Sequence, residues 1–208
     1  MSEYYIPAGP GEAEFTEKRS RFLGHVRMVE SEDEARAFIN EMKKNYYDAR
    51  HNCWCYSIRD GAERYSDDGE PQGSAGIPML EVLRRQNVTN AVCVVTRYFG
   101  GVLLGTGGLL RAYTKGTADA LEAAGVSVVR RWVETALNCS YAQLERMKLE
   151  AAALGGIVED IEYGAGVTLK VLIPEEQSES FAARIFDQSA GSVTIRVTGE
   201  SFRAVRVR

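Results

Sequence analysis

The chain has 208 residues, 45% of them hydrophobic and 26% charged, with a formal net charge of −4. That length supports one large domain or two of about 100 residues each, and the mild acidity argues against a general nucleic-acid binder while leaving room for a local basic groove. No run of about eighteen apolar residues exists to span a membrane. The opening MSEYYIPAGPGEAEF has neither a basic nor an apolar signal segment, so no secretory leader is expected. Cys53, Cys55, Cys93 and Cys139 are scattered through apolar stretches, which reads as reduced thiols in a cytoplasmic protein.

In chain order, AEFTEKRSRFLGHVRMV (13–29) predicts two short strands joined by a polar turn near Lys18. Ser31, with Glu34 three residues on, is a capping box. Ala35, Phe38, Ile39 and Met42 follow at helical spacing. RHNCWCYSIR (50–59) alternates as a strand and pairs with AERYS across an Asp60-Gly61 turn. DDGEPQGSAGIP is a loop, after which a helix starts soon after Pro78. NAVCVVTRYF is nearly all apolar, the pattern of a strand covered on both faces. A glycine-rich loop follows, then a helix from about Thr106 to Ala124, with Leu110, Tyr113, Thr117, Leu121 and Ala124 as its apolar stripe and Gly125 as its C-cap.

From Trp132 the elements read strand, helix, strand, strand, helix, strand, with Pro174 opening the last helix and one or two strands in SVTIRVTGESFRAVRVR. This is the ferredoxin-like β-α-β-β-α-β order. The fold class is therefore α+β, with a boundary in VSVVR dividing residues 1–128 from 129–208. Acidic residues outnumber basic ones in both parts.

RYFGGVLLGTGGLLRAYTKG places Gly100, Gly101, Gly105, Gly107 and Gly108 between a strand and a helix. A helix N-terminus offers free N–H groups and the positive end of a dipole, an anion site. Arg111 and Lys115 lie four apart on that helix, and Arg97 is near enough in sequence to join them. GTGGLL is neither a Walker loop nor a dinucleotide fingerprint. The competing reading is a tight turn whose glycines serve packing, with the arginines paired to acidic side chains. Asp67, Asp68 and Glu70 are the nearest acidic cluster. They suit either a magnesium ion held against a phosphate or a rigid turn whose acids pair with Arg97, Arg111 or Lys115.

His51, Cys53 and Cys55 alternate onto one strand face. Zinc accepts such ligands, yet a structural site wants a fourth and usually a loop spacing, and buried cysteine is ordinary core filling. With only His25 and His51 as histidines and no G-x-S-x-G elbow, no catalytic set is nominated. Arg196, Arg203, Arg206 and Arg208 could present a row to RNA or guard a sheet edge.

ARHNCWC, SDDGEPQGSAGIP and VVTRYFGGVLLGTGGLLRAY, in that order, closely resemble the signature segments of the YigZ/IMPACT family. The β-α-β-β-α-β stretch resembles the extra domain of bacterial members, itself similar to a domain of elongation factor G. Ser74 stands where threonine is frequent and Cys55 where a small residue such as alanine is expected. The resemblance implies an N-terminal fold like the second domain of a small-subunit ribosomal protein, shared with GHMP kinases. Eukaryotic members regulate translation by competing for the activator of a starvation-sensing kinase, a pathway that bacteria lack. Some members have carried a proline-dipeptidase assignment, for which two histidines leave a dinuclear site short of ligands. The expectation is a non-catalytic cytoplasmic factor of translation without a cofactor, binding RNA, the ribosome or a translation protein. Its rival is an enzyme or binding protein for a phosphorylated small molecule or nucleotide with Mg²⁺.

Overall fold

The computed structural model describes residues 3–208. It is a mixed α+β chain that divides into two compact units. The first unit holds Tyr4–Val129 and Ala204–Arg208; the second holds Arg130–Arg203 together with Glu3.

In the first unit, β1 (Tyr4–Pro7), β2 (Gly11–Glu17) and β3 (Ser20–Met28) precede helix α1 (Glu32–Asn45). Ser31 Oγ accepts the Glu34 N–H at 3.2 Å and Glu34 Oε2 accepts the Glu30 N–H at 2.8 Å, so the capping pair starts α1. β4 (His51–Ser57) and β5 (Glu63–Ser66) form the hairpin across Asp60-Gly61, with Asp60 at φ +56°. Helix α2 (Gly76–Arg85), β6 (Ala91–Tyr98) and α3 (Thr106–Ala124) complete this part. α2 begins at Gly76, before Pro78 rather than after it. The reason lies in the Asp67 carboxylate, which caps that helix from a distance, as described below.

The strands β2-β3-β6-β4-β5 make one sheet, and every neighbouring pair in it is antiparallel. β6 is its middle strand and is buried from Ala91 to Arg97. Cys93 and Val95 join a core with Met79 and Leu83 of α2 and Tyr113 of α3, while Val92 and Val94 join a core with Phe38 and Met42 of α1. Helices on both faces explain the continuous apolar run of an antiparallel strand. The buried stripe of α3 runs through Leu109, Tyr113, Thr117, Leu121 and Ala124. Leu110, expected in that stripe, is 47% exposed; docking of the helix turns Leu109 inward in its place.

His25 of β3 lies under this sheet's α1 side, stacked on Tyr46 at 5.3 Å, with Nε2 buried and without a hydrogen-bond partner. Burial holds it below the ordinary histidine value of 6.5, against a weaker pull from Glu12. The unfolded chain therefore binds this proton first as pH falls. The stability contributed by neutral His25 is present above pH 6.5 and is lost as pH drops below that value. Urea titrations between about pH 7.5 and about pH 5 should show a falling midpoint, with a shallower fall in His25→Leu. Identical slopes for the two proteins would remove His25 from the acid response.

The second unit is built on the remaining strands. β7 (Val126–Cys139) gives its first four residues to the first unit, where they pair antiparallel with β1, and the rest to the second. The strand thus starts six residues before Trp132 and runs through VSVVR. Helix α4 (Leu144–Ala153), β8 (Ile157–Tyr163), β9 (Val167–Pro174), α5 (Ser178–Ser189) and β10 (Thr194–Arg206) follow. Pro174 ends β9, and a short 3-10 turn at Glu175–Gln177 leads into α5. The strand order is β10-β7-β9-β8. Alternate residues of β7 and β9, among them Leu137, Leu169 and Ile173, pack with Met147 of α4 and with Phe181 and Ile185 of α5. No helix among the described residues is long and apolar enough to cross a membrane.

Candidate functional site

The acidic loop between β5 and α2 folds inward, and its three carboxylates go to three different places. Asp67 Oδ2 accepts the Gly73 N–H at 2.8 Å, and its Oδ1 accepts the N–H groups of Ala75 at 3.0 Å and Gly76 at 2.8 Å. These are donors at the uncapped start of α2, so Asp67 satisfies them and meets the positive end of the dipole. Asp68 Oδ1 takes Lys43 Nζ at 2.7 Å and its Oδ2 takes the Asn52 N–H at 2.7 Å. Glu70, with a side chain 4% exposed, accepts Arg97 Nη1 at 2.7 Å and Tyr113 Oη at 2.8 Å on one oxygen. Of the pairings expected for these acids, Glu70 with Arg97 is present; Asp67 and Asp68 engage backbone and Lys43 instead. No group of three potential metal ligands occurs among the described residues, and divergent carboxylates do not fit a magnesium ion.

Sheet register builds the rest. His51 and Phe22 are the two cross-strand partners of Arg97, so all three share the face that α3 covers. Arg97 is 5% exposed. Its Nη2 reaches Ser20 Oγ at 3.3 Å, the rings of Phe22 and Phe99 lie 5.6 and 5.4 Å from its Cζ, and its Nε has no partner. His51 Nδ1 is 2.8 Å from the Asp68 carbonyl oxygen. A carbonyl only accepts, so Nδ1 carries the proton. Nε2 stands 3.9 Å from Glu70 Oε1, beyond hydrogen-bond reach. Behind them burial pushes the Tyr113 phenol well above its ordinary value, with Cys53 and Glu70 adding to the shift. Burial likewise drives the Cys53 thiol up, and the thiol donates to the Asp67 carbonyl at 3.0 Å. His51, Cys53 and Cys55 do share one face, but both cysteines are sealed in the core.

The glycine loop closes over this network. The Gly100 N–H reaches Ser20 Oγ at 3.2 Å, and a Cβ at Gly100 would fall 1.9 Å from the Arg19 carbonyl oxygen. Gly101 and Gly105 take φ of +82° and +72° with open space around them. Gly105 precedes α3 without a side-chain cap, and its carbonyl already accepts the Leu109 N–H at 2.9 Å. The N–H groups of Thr106, Gly107 and Gly108 remain as the unpaired first-turn donors. Gly107 is open to its surroundings, with Arg111 Nη1 at 3.7 Å the nearest atom to an added Cβ, while Gly108 packs on Leu104.

A cavity of about 390 Å³ lies at this head of α3, lined by His51, Glu70, Arg97, Phe99, Leu103 and Thr106 among others. Arg50 sits on its rim with its Cζ 5.9 Å from the Phe99 ring. Arg111 and Lys115 do not line it; they border grooves along the flanks of α3. Arg111 is exposed and makes no ion pair with a described residue, whereas Lys115 pairs with Asp119 at 2.6 Å. The expected trio of Arg97, Arg111 and Lys115 is therefore split, because Arg97 points from β6 into the core side of the cavity. Arg50 and Phe99 are lining residues that composition and spacing had not marked, while His51 had been weighed only with Cys53 and Cys55 and Thr106 only as a helix start. The only prior signal for Arg50 and Phe99 was their place inside ARHNCWC and RYFGG. Of the C-terminal arginines, Arg203 pairs with Glu159, Arg208 with Gln86, and Arg206 lies against Gly125.

Comparisons with known proteins fall on both units. Residues 18–121 match the Impact N-terminal domain and residues 137–192 match a domain of unknown function, DUF1949. The chain is 35% identical over 200 residues to "IMPACT family member YvyE" of Bacillus subtilis, covering 94% of this chain and 91% of that protein. It is 35% identical over 199 residues to "IMPACT family member YigZ" of Escherichia coli, covering 94% and 98%. "Protein IMPACT homolog" of Dictyostelium discoideum is 40% identical over 96 residues, 43% of this chain and 27% of that one. Among solved structures, one titled "Crystal structure of an hypothetical protein" aligns with a TM-score of 0.59 at 34% identity, covering 96% of this chain and 98% of its own.

Proposed function

This chain belongs to the IMPACT family, and on that premise we propose that it is a non-catalytic, cytoplasmic accessory or regulatory factor of translation that binds RNA across the head of α3. The observation that carries this reading is the uncapped N-terminus of a 19-residue helix opening on a cavity with Arg50 at its rim. Free N–H groups and the helix dipole favour a phosphate there. Exposed Arg111 lies one helical turn further along, within reach of the next phosphate of a strand lying over the helix. The strand order β10-β7-β9-β8 supports the likeness of residues 129–208 to a ferredoxin-like domain of elongation factor G. The burial that drives the Cys53 thiol up makes it a poor nucleophile and supports the non-catalytic reading. A Mg²⁺-dependent nucleotide enzyme finds less support, since Asp67, Asp68 and Glu70 are each committed to other partners.

The test is binding of single-stranded RNA as a function of salt. Each phosphate contact adds about −0.7 to the slope of log K against log salt. Replacing Arg50, Arg111 and Lys115 together with alanine should flatten that slope by about 2 and weaken binding for all sequences alike. Unchanged affinity and slope in the triple variant would place RNA elsewhere or nowhere on this protein.

A further inference from the structure

A groove of about 380 Å³ runs between α2 and α3, away from the cavity at the head of α3. Ile77 of α2 and Leu110 of α3 stand on its two walls, 39% and 47% exposed, and Pro78 and buried Val82 complete the apolar lining. A single exposed leucine is ordinary on a protein surface. Apolar side chains gathered in one groove and rimmed by charge mark an interaction surface. A second hollow that shares Val82 continues along the same two helices to Ala118 and Leu121.

The rim of this groove is cationic. Arg85 and Arg111 are exposed and make no ion pair with a described residue. Glu81, the carboxylate of the lining, is held by Arg84 at 2.6 Å, and Lys115 is held by Asp119 at 2.6 Å. Arg85, in the last turn of α2, suits the negative end of that helix. Arg111 lies in the second turn of α3, where the dipole offers a cation nothing. In a chain of net charge −4, two unpaired arginines beside an apolar groove are complementary to carboxylates on a partner.

We propose that this groove docks an amphipathic helix of a protein partner, with aliphatic or aromatic side chains along one stripe and Asp or Glu flanking them. Both walls are helices, whose backbone groups bond within the helix, so an added strand would find no sheet edge to pair with. Ile77, Glu81 and Arg85 recur every four residues along one wall. At 1.5 Å per residue they span about 12 Å, the distance over which a helix presents anchors at i, i+4 and i+7. RNA binding at the head of α3 uses neither Ile77 nor Arg85, so the two surfaces are separable by experiment.

The probe is a displayed library of random peptides of about sixteen residues, long enough for four helical turns, selected on the full chain. Enriched peptides should carry Leu, Ile or Phe at i, i+4 and i+7 with Asp or Glu beside them. By fluorescence anisotropy, a labelled winner should bind the Ile77→Gln, Leu110→Gln double variant about thirtyfold more weakly, the loss of central apolar contacts. Both positions are exposed, so this variant should keep the wild-type Tm. The Arg85→Gln, Arg111→Gln double variant should lose about tenfold, and raised salt should remove most of that difference. The RNA salt slope should be the same in Ile77→Gln and in Arg85→Gln as in the wild type. Absence of enrichment, enriched peptides without acidic residues, or winners indifferent to the Ile77→Gln, Leu110→Gln exchange overturn the proposal. Self-association that Leu110→Gln abolishes, seen by sedimentation with no peptide enriched, assigns the groove to a second copy of the chain and overturns it also. Absence of RNA binding by the wild type strikes the RNA reading and leaves this proposal standing.

Discussion

Arg97→Leu will lower the stability of the protein by about 3–5 kcal/mol, the cost of leaving a buried carboxylate without its ionic partner. Arg97 and Glu70 have side chains 5% and 4% exposed and meet at 2.7 Å. With the guanidinium gone, Glu70 keeps only the Tyr113 hydroxyl as a hydrogen-bond partner. Glu70→Leu should be costly for the mirror reason, because it strands the guanidinium between two aromatic rings. The informative variant is the double one. Replacing both charges with leucine removes the desolvation penalty together with the attraction, so its loss should be well below the sum of the single losses. Urea midpoints at constant slope give the four stabilities. Additive losses would mean that the two groups do not act as a pair.

Gly24→Ala is expected to cost about 3 kcal/mol or more, at the upper end of overpacking in a close-packed core. A Cβ there would lie 2.3 Å from the Gly116 carbonyl oxygen and 3.2 Å from Ala120 Cβ. The clash is with helix backbone, so no side-chain rotation relieves it; α3 itself must lift from β3. Gly107→Ala is the contrast on the same helix. Its added methyl meets only Arg111 Nη1 at 3.7 Å, and alanine is favoured over glycine in a helix by roughly 0.5–1 kcal/mol. Gly107→Ala should therefore raise Tm slightly while Gly24→Ala lowers it. A Gly24→Ala protein with wild-type Tm would show that α3 sits further from β3 than these distances state.

The two leucines at 109 and 110 show where a local reading of the chain stops. Both are apolar, and helical periodicity alone accommodates either in the stripe. Leu109 is buried and Leu110 is not, because the rotation of α3 is set by Gly116 seated on Val95 of β6. The glycine loop shows the same limit in its chemistry. Six glycines within RYFGGVLLGTGGLLRAYTKG announced both tight turning and close approach. Gly100 against Arg19 and Gly116 against Val95 are the packing cases, while Gly105 and Gly107 leave open space at the helix start. Both meanings were present in one stretch, and spacing alone could not sort them.

What this sequence determined by itself was local: the Ser31 cap of α1, the Asp60-Gly61 hairpin, the wholly apolar β6 and the strand-glycine-helix passage into α3. Each depends on residues a few positions apart, whose dihedral preferences and hydrogen bonds act before any long-range contact forms. Only the tertiary structure decided the membership of the site. Arg97 meets Glu70 across 27 residues and Tyr113 meets Glu70 across 43, and His51 stands beside Arg97 through the register of β4 on β6. Such partners are chosen by which strands align and which helix covers them. The burial that results makes each charge require a specific neighbour, and no spacing along the chain encodes which one.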